Sequence, residues 1–366
     1  MENKKREYRA IALYLPQYHP IPENDEWWGK GFTEWTNVGR AKKLFRGHYQ
    51  PHVPADLGYY DLRLPEIREA QAQMAKEAGI EGFCYYHYWF GNGKRLLERP
   101  FDEVVKLGKP DFPFMLCWAN ESWHAKFWDV NGVSSKKTLI EQEYDKSDWE
   151  LHFQTLLPAF KDHRYIQIEG KPAFMIYKPF DFININEFIA FWQELAKKNG
   201  LKGIYFIGQL TNIDKQLEAI KEITIDGFNS LRMWNYSLNR SFIERAYRKI
   251  YRKIFSVPDI VDYSKIYKSF ITPLEAQENI FPTIIPNWDH TPRSGKGGTV
   301  FKNTNGENFK QHVMEVLKII SQKEYDKRIV FIKSWNEWGE GNYLEPDLKN
   351  GYLYLDILQE LLVSQK

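Results

Sequence analysis

Cysteine is almost missing: Cys84 and Cys117 are the two present in a chain of 366 residues. That count excludes a disulfide scaffold, and their place inside apolar runs makes both buried free thiols. Neither sign of charge dominates, with 50 basic against 48 acidic residues, so no global field draws the protein to nucleic acid or anionic lipid. No apolar run approaches membrane-spanning length, so no stable membrane insertion is expected. The basic start Met1-Glu2-Asn3-Lys4-Lys5-Arg6-Glu7 lacks an apolar h-region behind it, because Ala10 to Leu15 is short and stops at Pro16. No signal peptide and a cytoplasmic location are therefore expected. A Gly-x-Ser-x-Gly elbow, a His-Glu-x-x-His pair and an Asp-x-Asp metal–nucleotide motif are also missing, which argues against a serine nucleophile, a zinc centre and a nucleotide-sugar site of that type. His19, His48, His52, His87 and His124 crowd the first third but fit no zinc spacing. No metal and no cofactor are expected. Linkers, repeats and low-complexity segments are missing too, so residues 1–366 read as one domain.

Aromatic residues are what the chain has in excess: 13 Trp, 22 Tyr and 24 Phe. Many stand in stretches broken by glycine and proline, where core packing would not call for them. Rings exposed in a cleft suit the apolar faces of pyranose sugars, with polar neighbours to bind the hydroxyls.

Short apolar runs alternate with helical patterns from end to end. Strands are predicted at Ala10–Leu15, Gly82–Tyr86, Phe114–Trp118, Ala173–Tyr177, Ile204–Gly208, Asp226–Asn229 (weakly), Thr283–Pro286 and Ile329–Ile332. Helices are predicted at Pro65–Ala78, Asp148–Phe160, Asn186–Lys198, Asn305–Gln322 and Gly351–Ser364. A basic, aromatic and helical insertion, about Asn235 to Gln277, precedes strand seven. Near-continuous apolar strands alternating with helices form a parallel sheet. Eight of them predict a single (β/α)8 TIM barrel with long βα loops. An open doubly wound sheet is the alternative, but no glycine-rich phosphate loop follows the first strand.

In such a barrel the chemistry gathers in the loops after the strands. The last strand runs into Ser334-Trp335-Asn336-Glu337-Trp338-Gly339-Glu340-Gly341-Asn342-Tyr343-Leu344-Glu345, where two carboxylates three residues apart stand among aromatics and glycines. Glu337 and Glu340 are the candidate acid and base; a solvated Glu pair in a polar turn is the bland alternative. Candidate substrate contacts are Tyr14, Gln17, His19 and Trp35 near the first strand, and Tyr86, His87 and Trp89 on the second. Trp118, Asn120 and Glu121 follow the third, with Tyr177 and Gln209 at the fourth and fifth, and Trp288, Asn336, Trp338 and Glu345 after the seventh and eighth. Eight residues, His19, Trp35, His87, Trp89, Trp118, Asn120, Glu121 and Trp288, are expected to line one continuous pocket. Among the strand-end tryptophans, Trp118 and Trp123 are the first to be structural if any are.

Several motifs together resemble the WbsX-like proteins of bacterial O-antigen and capsule clusters, which are described as glycoside-hydrolase-family-99-like. They are Tyr14-Leu15-Pro16-Gln17-Tyr18-His19-Pro20, Trp27-Trp28-Gly29-Lys30-Gly31-Phe32-Thr33-Glu34-Trp35-Thr36-Asn37, Gly82-Phe83-Cys84-Tyr85-Tyr86-His87-Tyr88-Trp89-Phe90, Cys117-Trp118-Ala119-Asn120-Glu121 and Trp335-Asn336-Glu337-Trp338-Gly339-Glu340-Gly341. The resemblance covers nearly the whole chain. Its link to the family-99 endo-α-mannosidases is narrower, resting on the barrel and the segment from Asn336 to Gly341. It implies that Glu337 is the base toward a sugar 2-hydroxyl, which attacks the anomeric carbon to give a 1,2-anhydro sugar. Glu340 is then the general acid, which an apolar setting would keep protonated, while Asn336 helps Glu337 stay ionised. Mannose specificity does not carry over, because the binding loops differ.

Three functions are consistent with these residues. One is a retaining glycosidase or transglycosylase acting on an oligosaccharide, a surface polysaccharide or a lipid-linked glycan precursor. The second is a glycosyltransferase of O-antigen or capsule biosynthesis using an activated donor, and the third an inactive sugar-binding barrel. The intact Glu pair and the missing nucleotide motif favour the first. The sugar, the linkage and the oligomeric state are not legible in the chain.

Overall fold

The computed structural model describes residues 7–128, 134–238 and 240–363. Eight parallel strands close on themselves: β1 (Arg9–Tyr14), β2 (Gly82–Trp89), β3 (Phe114–Trp118), β4 (Lys171–Ile176), β5 (Tyr205–Leu210), β6 (Gly227–Ser230), β7 (Ile280–Ile284) and β8 (Ile329–Ile332). Closure is made by β1, which pairs with β8 through Ala10 and Val330 and with β2 through Leu13 and Cys84. Nearly every strand residue is buried, as a sheet covered on both faces requires. The (β/α)8 barrel is thus present, with all eight strands near their predicted places. Strand seven begins earlier than predicted, at Ile280, because Pro282 sits in the strand despite lacking an N–H.

Helices α1 (Pro65–Glu77), α2 (Arg99–Leu107), α3 (Trp149–Phe160), α4 (Ile185–Lys198), α5 (Phe242–Phe255), α6 (Gly306–Ile320) and α7 (Leu353–Leu362) accompany the barrel. Proline in the first turn opens α1 and α2, and the Asn305 side chain caps α6 by accepting from Asn308 N. Only short turns follow β5. The insertion between β6 and β7 is helical, as predicted, but it also contributes Asp259–Asp262, a strand paired in parallel with Thr299–Lys302 from the loop after β7. A hairpin of Trp123–Trp128 and Ser134–Ile140 follows β3, where a plain loop was expected. The main core fills the barrel and the helix layer. A second apolar cluster joins the insertion residues Val261, Tyr263 and Phe270 to Ile285 and Trp288. It fixes the loop after β7 as one wall of the barrel mouth. Cys84 and Cys117 are both free and buried. No helix among the described residues is long and apolar enough to cross a membrane.

Candidate active site

A cavity of about 470 Å³ opens at the C-terminal ends of the strands. Glu337 and Glu340 both line it, and both are largely buried. They sit where the chain leaves β8, bends through a short helical turn at Trp338–Glu340 and returns as Asn342–Tyr343, paired antiparallel with Asn336–Glu337. Two glycines permit this turn. A Cβ on Gly339 would lie 2.0 Å from Glu34 Oε2, and Gly341 has a positive φ of 54° with Asp289 packed against it.

Each carboxylate has its own cation. Lys333 Nζ donates to Glu337 Oε2 at 2.6 Å, and Arg293 Nη1 donates to Glu340 Oε1 at 2.6 Å. The same nitrogens stand 3.7 Å from Glu340 and 3.9 Å from Glu337, respectively. Arg293 Nε also donates to Glu34 Oε2 at 3.1 Å, tying the loop after β1 to the loops after β7 and β8. Three buried carboxylates thus face two fixed cations, Arg293 and Lys333. An uncompensated buried charge is costly, so the cluster favours holding one proton. Burial and the charge of Glu340 push the Glu337 carboxyl up, against the pull of Lys333 and Arg293. Burial also acts to raise Glu340, but Arg293, Lys333 and then His290 outweigh it and hold that carboxyl well below the usual range. Of the two, Glu337 is therefore the carboxyl more readily protonated and Glu340 the one more readily ionised. That is the reverse of the expected environments: Glu340 lies in a cationic clamp, not an apolar pocket. Nor does Asn336 assist Glu337. Its amide pins the end of β1, donating to Leu15 O and accepting from Leu15 N.

Of the sixteen expected substrate contacts, Gln17, Tyr86, Glu121, Tyr177 and Trp288 line the cavity. Of the eight expected to share one pocket, only Glu121 and Trp288 do so. Strand geometry explains those on and just after β2 and β3, because successive side chains point to opposite faces. Along β2, Tyr86 and Tyr88 face the cavity while His87 and Trp89 face the helix layer, both against His152 of α3. Burial depresses the His87 imidazole well below its ordinary value. After β3, Ala119 and Glu121 face in, while Trp118 packs on Phe182 and Phe188 and its indole donates to Trp89 O. Asn120 instead fixes the next loop through Lys178, bonding both its N–H and its carbonyl. Tyr14 points outward to Gln71 of α1. Gln209 is buried against Asn229. His19 is buried, and burial lowers it to about 4.

Trp338 stacks on Tyr343 and meets Trp35 at a tilt, with Tyr18 and Tyr60 packed on Trp35 as a belt beneath the turn. Behind that belt lies Glu345, which accepts from Trp338 Nε1 at 2.6 Å, Gln71 Nε2 at 2.6 Å and Tyr60 OH at 2.8 Å. It supports the turn rather than facing the cavity. Burial pushes its carboxyl up to about 7 despite these donors.

Glu34, Tyr88, Trp123 and His290 stand at strand ends but are not among the candidate contacts, and Trp234, Arg293 and Lys333 are missed outright; all seven line the cavity. Lys333 was findable as the first residue after β8. Trp123, marked as a structural candidate, lies in the cavity wall. Trp234 comes from the loop after β6 and Arg293 from the loop after β7, and no local pattern marks them. No cluster with metal-binding composition occurs among the described residues.

Two proteins from Xanthomonas campestris pathovar campestris, each called uncharacterized protein WxcX, are 33% identical over 353 residues, covering 96% of this chain and 49% of the relative. The chain thus spans about half the length of the curated relatives it matches. Among solved structures, the GH99 endo-alpha-mannosidase from Bacteroides thetaiotaomicron, in complex with bis-tris-propane, superposes with a TM-score of 0.57 at 17% identity, covering 96% of this chain and 95% of that one. A glycoside hydrolase-like protein superposes with a TM-score of 0.59 at 15% identity, covering 99% and 96%. At such identities these likenesses concern the fold. Residues 10–358 match the family described as Glycosyltransferase WbsX, and the chain belongs to that family.

Proposed function

We propose that this protein is a carbohydrate-active enzyme that breaks or remakes a glycosidic bond with retention of configuration, using Glu337 and Glu340. One observation carries the reading: two buried carboxylates, one helical turn apart, face the same cavity with two cations and a balance that favours one proton. Acid–base work on a glycoside needs one protonated and one ionised carboxyl at one ring. Tyr86, Tyr88, Tyr177, Trp123, Trp234 and Trp288 supply flat walls for sugar faces.

The family resemblance supplies the roles. Glu337 takes the proton of the 2-hydroxyl as that oxygen attacks the anomeric carbon, and Glu340 gives its proton to the departing oxygen. A 1,2-anhydro sugar results. Glu340 then deprotonates water or an acceptor hydroxyl, which attacks the anomeric carbon, and Glu337 returns the proton to the 2-oxygen. Two inversions give net retention. This sequence requires substrate to shift that balance toward a protonated Glu340, with Arg293 loosening its hold on it. Transfer from an activated donor is the second reading, supported by the family's description as a glycosyltransferase. The test is NMR of the first-formed anomer with an aryl glycoside the protein turns over, beside its 2-O-methyl analogue. Retention together with an inert 2-O-methyl substrate supports the reading; inversion, or equal turnover of both, rejects it.

A further inference from the structure

Helix α5 turns its apolar side away from the protein. Phe242, Ile243 and Ile254 are 84%, 79% and 69% exposed, Tyr247, Ile250 and Phe255 are exposed as well, and no residue of the helix is buried. Ile243, Tyr247, Ile250 and Ile254 follow at spacings of four, three and four, one stripe of a helix. The side that meets the body is polar. Arg248 donates to Asp259 at 2.9 Å, and Arg252 donates to the carbonyl oxygens of Lys296 and Gly297. A surface helix of a folded protein normally has the opposite arrangement. A contiguous apolar stripe left in water marks a site of contact.

The charge on the helix identifies what covers it. Residues 242–255 hold five basic side chains against one acidic; Arg248 is paired with Asp259 and Glu244, while Lys249 and Lys253 stand exposed beside the stripe. The near-neutral total hides this concentration. A second copy of the chain would bring an equally basic helix against it, which like charges oppose. A basic amphipathic helix with aromatic and β-branched residues on its other face suits an anionic bilayer surface, where rings and aliphatic chains enter the acyl boundary and Lys or Arg meet phosphates.

We propose that α5 docks the protein on anionic membrane surfaces, lying in the interface without crossing it. The helix is seated at the edge of the cavity, since Gly297, which accepts from Arg252, also lines it. Docking therefore brings the barrel mouth to the membrane plane. On the function proposed above, the substrates within reach are glycans carried on lipids. That last step rests on the proposed function, whereas the docking does not.

The experiment is sedimentation of the full chain with vesicles of phosphatidylcholine alone, or of phosphatidylcholine with phosphatidylglycerol. Two variants accompany it: Ile243→Gln/Ile250→Gln/Ile254→Gln, which keeps helix propensity, and Lys249→Glu/Lys253→Glu. All five residues are exposed, so circular dichroism and melting should match the native protein. The native chain is expected to bind the anionic vesicles, more weakly as salt rises, and to ignore the neutral ones. Each variant should bind about tenfold more weakly or worse. No binding by the native chain, equal binding to both vesicles, or variants that bind as well as native overturns the proposal. So does a native dimer that the triple Gln variant dissolves, which would show a second copy covering the stripe. No catalysis is measured, so this test and that of the proposed function can fail separately.

Discussion

Arg293 holds Glu340 through a 2.6 Å contact while its Nε reaches Glu34 at 3.1 Å, so one guanidinium joins the loops after β1, β7 and β8. Burial alone would raise the Glu340 carboxyl; Arg293 is the largest influence that reverses it. Replacing Arg293 by Gln leaves two buried carboxylates without their shared partner, and a loss of about 3–5 kcal/mol is expected in denaturant unfolding. The native Glu340 contributes stability above its unfolded-state pKa, and that contribution is lost only as pH falls through its depressed folded value. In Arg293→Gln the loss on acidification should begin at a higher pH. Arg293→Lys should recover little, because a point charge cannot bridge both carboxylates.

Glu345 should make the protein less stable as pH rises. Its folded carboxyl titrates near 7, above the ordinary unfolded value. The stabilisation it gives is complete below the unfolded pKa and fades as pH climbs to about 7, by up to about 3 kcal/mol. Melting from pH 5 to 8 should show a decline in the native protein and a flatter profile in Glu345→Gln. Identical slopes in both would exclude Glu345 as the titrating group.

Side-chain parity separates packing from binding along β2 and β3. Trp118→Ala removes a ring buried against the helices and should cost about 3–5 kcal/mol. Trp123→Ala, in the cavity wall, should raise KM with a much smaller loss of stability. Equal destabilisation by the two substitutions would contradict this division.

The same parity marks how far the sequence could be read. The barrel was legible because its strands are apolar throughout and alternate with capped helices. The Glu337–Glu340 pair was legible because both carboxylates fall in one short turn after β8. The aromatic contacts were less legible, because Tyr86, His87 and Trp89 are neighbours on β2 and a strand sends alternate residues to opposite sides, so that only Tyr86 of the three lines the cavity. Arg293 was beyond reach for another reason. It meets Glu34 across 259 residues of sequence, and no local pattern encodes a contact of that separation.

The division of roles between the two glutamates can be read from leaving groups. If Glu340 is the acid during turnover, Glu340→Gln keeps much of its activity on an activated aryl glycoside or glycosyl fluoride and loses it on poor leaving groups. Glu337→Gln then loses both. The reverse pattern would assign the acid role to Glu337, whose carboxyl burial and Glu340 push up.

Most direct is kcat/KM of the native protein, Glu337→Gln and Glu340→Gln, each with its fold checked, on one glycoside with an unactivated leaving group that the native protein turns over. Both variants are expected to lose about 10² to 10⁴-fold. Native activity in either would show that this pair does not carry the chemistry.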